Sequence, residues 1–246
     1  MANFDLRQGD ANTLIKTVES ASVDLIVFDP AYESLEKHRA KGTTTRLSQS
    51  SASSNTWFPV VSNEYLEEHL NECFRILKPG SHAYMLCDQE TAFALQPKAI
   101  EAGFKFWKCI IWDKVSIGMG YHYRCQHEMI MFLEKVERPG KHRQLNNASI
   151  SDIIRVKGLR GNELYPTEKP VELLNILIQQ SSNEGDIVFD GFFGSGASAE
   201  AALKNNRHFV GFDLLSRALE KASERCANFG TSEKVMIQRA QPLLFA

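Results

Sequence analysis

The sequence predicts an α/β protein, doubly wound, with a mostly parallel sheet covered by helices on both faces. Three observations carry that prediction. Short apolar runs at 23–28, 83–87, 109–112, 129–133, 187–189 and 209–212 alternate with amphipathic stretches, the pattern of strands buried by crossover helices. The run at 187–189 leads straight into a glycine turn and a small-residue helix start, Asp190-Gly191-Phe192-Phe193-Gly194-Ser195-Gly196 followed by Ala197, Ser198 and Ala199. The chain, 246 residues of which 43% are hydrophobic, can bury a full core, so 1–246 is read as one domain.

The first run, with Val23, Leu25, Ile26, Val27 and Phe28, ends at Asp29-Pro30-Ala31-Tyr32. A buried strand that stops at a carboxylate, a proline carbonyl and an aromatic ring offers two acceptors beside one flat stacking surface. That set suits an exocyclic amino group on a planar base. Residues 33–60 follow, with the basic cluster Lys37, Arg39, Lys41 and Arg46 and a serine-rich tract at 48–54 that can bury little apolar surface, so a mobile loop is expected. Leu66, Leu70, Phe74 and Leu77 then recur at helical spacing, and Pro79-Gly80 is expected to stop that helix. Leu173, Leu174, Leu177 and Ile178 mark another helix, with Pro170 at its first turn and Gly185 beyond its end. A short extra strand is expected at 235–239.

Glycines in the turn at 190–196 let backbone approach a ligand closely, and the helix start behind them presents free N–H groups. The strand at 209–212 ends at Asp213, about 20 residues on, where an acid can accept both ribose hydroxyls of a nucleotide-like cofactor. Ala199 stands where a dinucleotide fingerprint would place its third glycine, which argues against NAD. Asp190 can hold a cationic amino group and Phe192 can lie beside a sulfonium. Together these point to S-adenosylmethionine.

Asp29-Pro30-Ala31-Tyr32 resembles the D-P-P-Y signature of amino-group DNA methyltransferases, and the segment from Asp190 to Gly196 is similar to their D-P-F-x-G-S-G cofactor loop. The catalytic motif precedes the cofactor motif, as in the permuted beta group, and Thr167-Glu168-Lys169-Pro170 resembles that group's T-E-K-P segment. The likeness extends to Gly9-Asp10-Ala11 and to Trp112-Asp113-Lys114 through Gly118, Gly120, Arg124, His127 and Glu128. It implies a circularly permuted, seven-stranded methyltransferase sheet and direct transfer of a methyl group to the N6 of a flipped adenine in DNA. By the same resemblance Asp29, Pro30 and Tyr32 hold the base, and Asp190 and Phe192 hold the methionine part of the cofactor. Thr167 and Lys169 hold its carboxylate, Asp213 the ribose, Asp10 and Ala11 the adenine edge, and Gly194, Ser195 and Gly196 form the cradle. Aspartate rather than serine at the first signature position favours adenine N6 over cytosine N4. Two positions depart from the pattern, Ala31 and Gly191 each standing where the family has proline; both loosen the backbone and neither removes a functional group. Asp10 also reads as a plain helix or turn cap.

Composition narrows the alternatives. With 28 lysines and arginines against 30 acids there is no global basic excess, so any nucleic-acid face is local. Residues 135–160 supply one candidate: Lys135, Arg138, Lys141, Arg143, Arg155, Lys157 and Arg160 stand against two acids there. A solvated loop is the plainer reading of this basic insert, as it is of 33–60. Tyr121, His122, Tyr123, Arg124 and His127 read either as contacts to the base and its vacated strand or as an exposed strand edge. The five cysteines have no metal-ligand spacing and no proline precedes a cysteine, which argues against zinc and against covalent attack on cytosine carbon. The polar start and the lack of a long apolar stretch predict a cytosolic protein, with no membrane partner and no metal. Duplex DNA is the expected partner; a second copy of the chain and a restriction nuclease stay open. Rival readings are a cytosine N4 enzyme, an RNA or small-molecule amino methyltransferase, and a non-catalytic nucleic-acid binder.

Overall fold

The computed structural model describes residues 2–35, 59–118, 122–159, 168–227 and 229. The serine-rich loop with Lys37, Arg39, Lys41 and Arg46, the residues Gly120, Tyr121, Arg160 and Thr167, and the strand expected at 235–239 lie outside them.

Among the described residues, one sheet of eight strands runs in the order β1-β8-β7-β2-β3-β5-β4-β6. The strands are β1 (Phe4–Gln8), β2 (Val23–Phe28), β3 (Leu77–Cys87), β4 (Lys105–Asp113), β5 (His127–Lys135), β6 (Ile153–Arg155), β7 (Ile187–Asp190) and β8 (His208–Asp213). Every pairing is parallel except those of β5, which runs against both β3 and β4. Each of the six apolar runs lies in a strand. The sheet has one strand more than expected because β6, three residues from inside the basic insert, adds to β4 at the edge.

The helices are α1 (Ala11–Leu14), α2 (Asn63–Ile76), α3 (Gln89–Glu101), α4 (Val171–Ser181), α5 (Ala197–Lys204) and α6 (Ser216–Ala227). They divide between two cores. Leu25 and Val27 of β2 pack with Leu173, Leu177, Ala201 and Ala222 on one face, while Ile26 and Phe28 pack with Leu66, Leu70 and Ala92 on the other. A strand covered on both faces reads as a continuous apolar run, which is why 23–28 shows no polar alternation. The α2 stripe is seated as expected, but the helix ends at Ile76. Leu77 already pairs with Val23 in β3, and Pro79-Gly80 falls where the pairing shifts register between Val23 and Leu25, with Gly80 at φ +77°. The turn residues therefore bend a strand rather than stop a helix.

From β2 the chain crosses through α2 to β3 on one side, and from β7 it crosses through α5 to β8 on the other. The connections part between β2 and β7, so a crevice opens beyond the carboxyl ends of those two strands. No described helix is long and apolar enough to cross a membrane.

Candidate active site

That crevice is a cavity of about 530 Å³, and its wall includes Asp29, Pro30 and Tyr32 from the end of β2, Asp190 and Phe192 from the end of β7, and Asp213 from the end of β8. Asp10, Ala11, Lys169, Gly194 and Ser195 line it as well. Two motifs about 160 residues apart in sequence thus face one space, because the parallel strands that carry them are neighbours and end at the same rim.

The β7 and β8 side of the cavity is held by backbone and hydroxyl donors. Phe192 N donates to Asp190 Oδ1 at 2.8 Å and Ser198 Oγ to Asp190 Oδ2 at 2.6 Å. No described cation pairs with Asp190, and burial pushes its carboxyl up to about 7. A buried acid that keeps hydrogen-bond donors but lacks a positive partner fits the ammonium of a ligand. Asp213 accepts from Gly194 N and Leu215 N, both at 2.9 Å, tying the turn to β8. Gly196 sits at φ +79°, and a Cβ there would lie 2.6 Å from the Cβ of Ala222 in α6. Glycine is required here twice over, by conformation and by helix contact.

Asp10 caps α1, accepting from Thr13 N and Thr13 Oγ1 at 2.8 Å and from the Tyr65 hydroxyl at 2.6 Å. The capping role is therefore real, and it fixes the carboxylate at the cavity wall. These hydrogen bonds outweigh burial and lower its pKa.

The departure at Gly191 has a structural reason. A Cβ at this position would meet Cε1 and Nε2 of His69 at 2.6 Å. His69 fills the place a proline ring would need: it is fully buried, edge-on to Phe192 at 4.9 Å, and its Nδ1 lies 2.9 Å from Asn12 Oδ1. The amide oxygen can only accept, so Nδ1 carries the proton and the ring is neutral; burial pulls its pKa down to about 3. Ala31, the other departure, accepts Val61 N on its carbonyl at 2.8 Å, anchoring the strand-end corner to the segment before α2.

The β2 side is built from charge. Lys169 Nζ lies 2.5 Å from Asp29 Oδ2 and 3.5 Å from a Glu128 oxygen, and Lys114 Nζ lies 3.0 Å from the other Glu128 oxygen. Asp29 is pushed up to about 6, chiefly by burial, with Lys169 pulling down and Glu128 pushing up. The two carboxylates outweigh burial and raise the Lys169 pKa, while Lys169 and Lys114 outweigh burial and lower that of Glu128. Lys169, expected beside a ligand carboxylate, lines the cavity and pairs there with two protein carboxylates. Next to it Glu168 accepts from Arg225 at 2.6 Å, and Arg225 also lies 3.3 Å from Glu200, pinning this segment to α6. No pattern in the sequence marks a role for Lys114, Glu168, Arg225 or His69. Glu128 does carry a signal, an acid at the start of an apolar strand.

The basic residues divide between the two rims of the sheet. Arg155 is exposed and pairs with Asp113 at the carboxyl end of β4 at 2.9 Å. Arg124 donates to Gly118 O at 2.7 Å, and Lys157 is exposed beside Gly158, which lines the cavity. Lys135, Arg138, Lys141 and Arg143 are not brought to this rim. β5 runs the other way, so Lys135 pairs with Ser81 near the start of β3 and donates to Phe74 O at 2.6 Å and Leu77 O at 2.8 Å. Lys141 pairs with Glu137, and Arg143 N donates to the buried Glu134 at 2.8 Å. Charge counting cannot see strand direction, which is why the insert read as one surface.

A doubly wound sheet with a glycine-turn cradle and an acid–proline–aromatic corner sharing one cleft defines the class of a nucleotide-cofactor transferase. The comparisons give the family. A DNA methylase model covering amino methylases of the N6 and N4 type matches residues 23–224, and the chain belongs to that family. It is 31% identical over 235 residues to the type II methyltransferase M.HpaI of Haemophilus parainfluenzae, covering 86% of this chain and 70% of that protein. It is 26% identical over 213 residues to the type II methyltransferase M.HhaII of Haemophilus parahaemolyticus, covering 82% and 87%. In fold it is similar to TTHA0409 of Thermus thermophilus, solved in complex with S-adenosylmethionine, with a TM-score of 0.68 at 22% identity over 92% of this chain and 94% of that one. It is also similar to the PvuII DNA methyltransferase, which is cytosine-N4-specific, with a TM-score of 0.69 at 13% identity over 92% and 86%.

Proposed function

We propose that this DNA methyltransferase acts on the exocyclic N6 of adenine in duplex DNA, with S-adenosylmethionine as cofactor, by direct transfer to a flipped-out base. The observation that supports it most is the shared cavity: the acceptors Asp29 and Pro30 and the ring of Tyr32 share one space with Asp190 and the cradle.

Asp190 and Phe192 hold the methionine part, with Thr167 assigned to its carboxylate by resemblance alone; Asp213 holds the ribose, and Asp10 with Ala11 the adenine edge. When bound, the cofactor supplies an electrophilic methyl group. Everything else falls to the chain's own residues. The target base stacks on Tyr32, and its two amino hydrogens donate to Asp29 and to the Pro30 carbonyl. An exocyclic amine is a poor nucleophile because its lone pair is shared with the ring. Two acceptors on its hydrogens turn the nitrogen toward tetrahedral geometry and stabilise the positive charge that develops there. Asp29 accepts most strongly, and offsets the charge developing on nitrogen, when it is ionised, and the proton finally released from the nitrogen passes to water. Extruding the base costs about a few kcal/mol, so positioning contributes most of the rate.

Aspartate at the first signature position supports adenine over cytosine. Arg124, Arg155 and Lys157 on the cleft rim, with Lys37, Arg39, Lys41, Arg46 and Arg160 from sequence alone, are assigned to phosphates. The test is to incubate the protein with unmethylated genomic DNA and, in a parallel reaction, with total RNA, each with methyl-labelled cofactor, then digest to nucleosides. Labelled N6-methyldeoxyadenosine is expected. Label in N4-methyldeoxycytidine would overturn the choice of base, and label in RNA alone the choice of polymer.

A further inference from the structure

We propose that Lys169 is a positioning residue for the reaction: in the free enzyme its ammonium occupies the seat beside Asp29 Oδ2 that the target amine must take, and it passes to Glu128 when the base arrives. The inference rests on the function proposed above and deepens it.

The geometry is that of a shared cation. Lys169 Nζ is 2.5 Å from Asp29 and 3.5 Å from Glu128, so one carboxylate holds it and the other stands within reach. Both residues line the cavity, and with 12% of the lysine side chain and 24% of Asp29 accessible the ion pair is largely shielded but open to a ligand on the cavity side. Glu128 is itself fixed by Lys114 at 3.0 Å. Two carboxylates and two ammonium groups make this cluster neutral. A neutral amine can therefore replace Lys169 at Asp29 while the lysine closes on Glu128: the cluster as a whole stays neutral, and Asp29 exchanges an ammonium donor for an N–H donor that gains positive charge as the methyl group arrives.

Such a cation does two things for the corner. It keeps a buried carboxylate ionised before substrate is present, and it holds the Oδ2 lone pair pointed at the place where an N–H donor will sit. A lysine that only anchored a ligand carboxylate would do neither. The groups facing Asp29 are Lys169 from the segment before α4, Glu128 from β5, Asp190 at the end of β7, Cys87 at the end of β3 and Tyr32 on its own corner, with Lys114 behind Glu128. Of these, Lys169 and Glu128 act on Asp29 with opposite sign, which gives the test its form.

The experiment follows the acid limb of single-turnover methylation against pH for the wild type, Lys169→Met, Glu128→Gln and the double variant. In parallel, the carboxyl carbon of Asp29 is titrated by NMR, assigned with Asp29→Asn. Lys169→Met should move both midpoints up by about one pH unit or more, Glu128→Gln should move them down, and the double variant should fall between. Cofactor affinity, measured at a pH above all these midpoints, should change less than about threefold in Lys169→Met. Unmoved midpoints with affinity reduced tenfold or more would overturn the proposal and return Lys169 to the ligand carboxylate. If the wild type methylates no DNA, the functional reading fails on its own, and the carboxyl titration still supports the pairing by shifting as described or overturns it by not shifting.

Discussion

The two walls of the cleft solve the same problem, holding buried carboxylates, by opposite means. On the β7 and β8 side, Asp190 and Asp213 are held by backbone N–H groups and a serine hydroxyl, donors whose positions are fixed by the fold. On the β2 side, Asp29 is held by a lysine on a four-carbon stem that a second carboxylate also attracts. Fixed dipoles suit a ligand that must bind the same way each cycle, whereas a long charged side chain can give way to a substrate and return. The cradle is therefore built for pre-organisation and the corner for exchange.

The largest expected effect breaks the corner and spares the cradle. Asp29→Ala should lower single-turnover methylation by roughly 10²–10³ or more while cofactor binding, followed by calorimetry, stays within about twofold. If affinity fell in parallel, the two walls would not be separable. Next, because no described cation pairs with Asp190, cofactor affinity should depend on pH. With its carboxyl at about 7 in the free protein, affinity should weaken by about tenfold per pH unit below that value, and Asp190→Asn should be weak and flat. The same shift acts on stability with the opposite sign. Asp190 and Asp29 bind protons more tightly folded than unfolded, so their contribution is full below about pH 4 and is lost as pH rises to about 7. Denaturant titrations of the cofactor-free protein between about pH 4 and 7 would show it.

A third change sharpens the account of the cradle. Gly191→Ala places a Cβ against the buried His69 ring and should destabilise the protein by about 1–3 kcal/mol, with His69→Ala recovering part of the loss in the double variant. Full additivity would show that the ring and the glycine are unrelated. The smallest effect concerns DNA. Arg155→Ala should weaken binding modestly and reduce the salt slope of log K by about one, whereas Arg138→Ala on the opposite rim should leave that slope unchanged.

What could be read from sequence was local to strand ends. Asp29, Asp190 and Asp213 each follow an apolar run directly, so identity and position together mark both motifs, and their order in the chain matches the permuted arrangement of the family they resemble. What could not be read depends on pairings across the fold. Lys169 meets Asp29 from 140 residues away, and His69 explains Gly191 only because α2 packs beneath β7. β1 and β6 carry no such signal, since β1 is broken by Asp5 and Arg7 and β6 has only three residues, so neither forms an apolar run. The basic insert failed as a single surface for a related reason: composition reports how many charges a segment carries, not toward which rim its flanking strands deliver them.

The lone reversed strand also limits where this enzyme can be re-engineered. β5 delivers Glu128 to the chemistry at its first turn of pairing and then carries the chain some 27 Å away, to a tight bend between Arg138 and Lys141. A DNA-reading module grafted at that bend would hang on the far side of the sheet, out of reach of an extruded nucleotide. Altered sequence preference is better sought in the connection from β4 to β5, whose ends both open on the cleft.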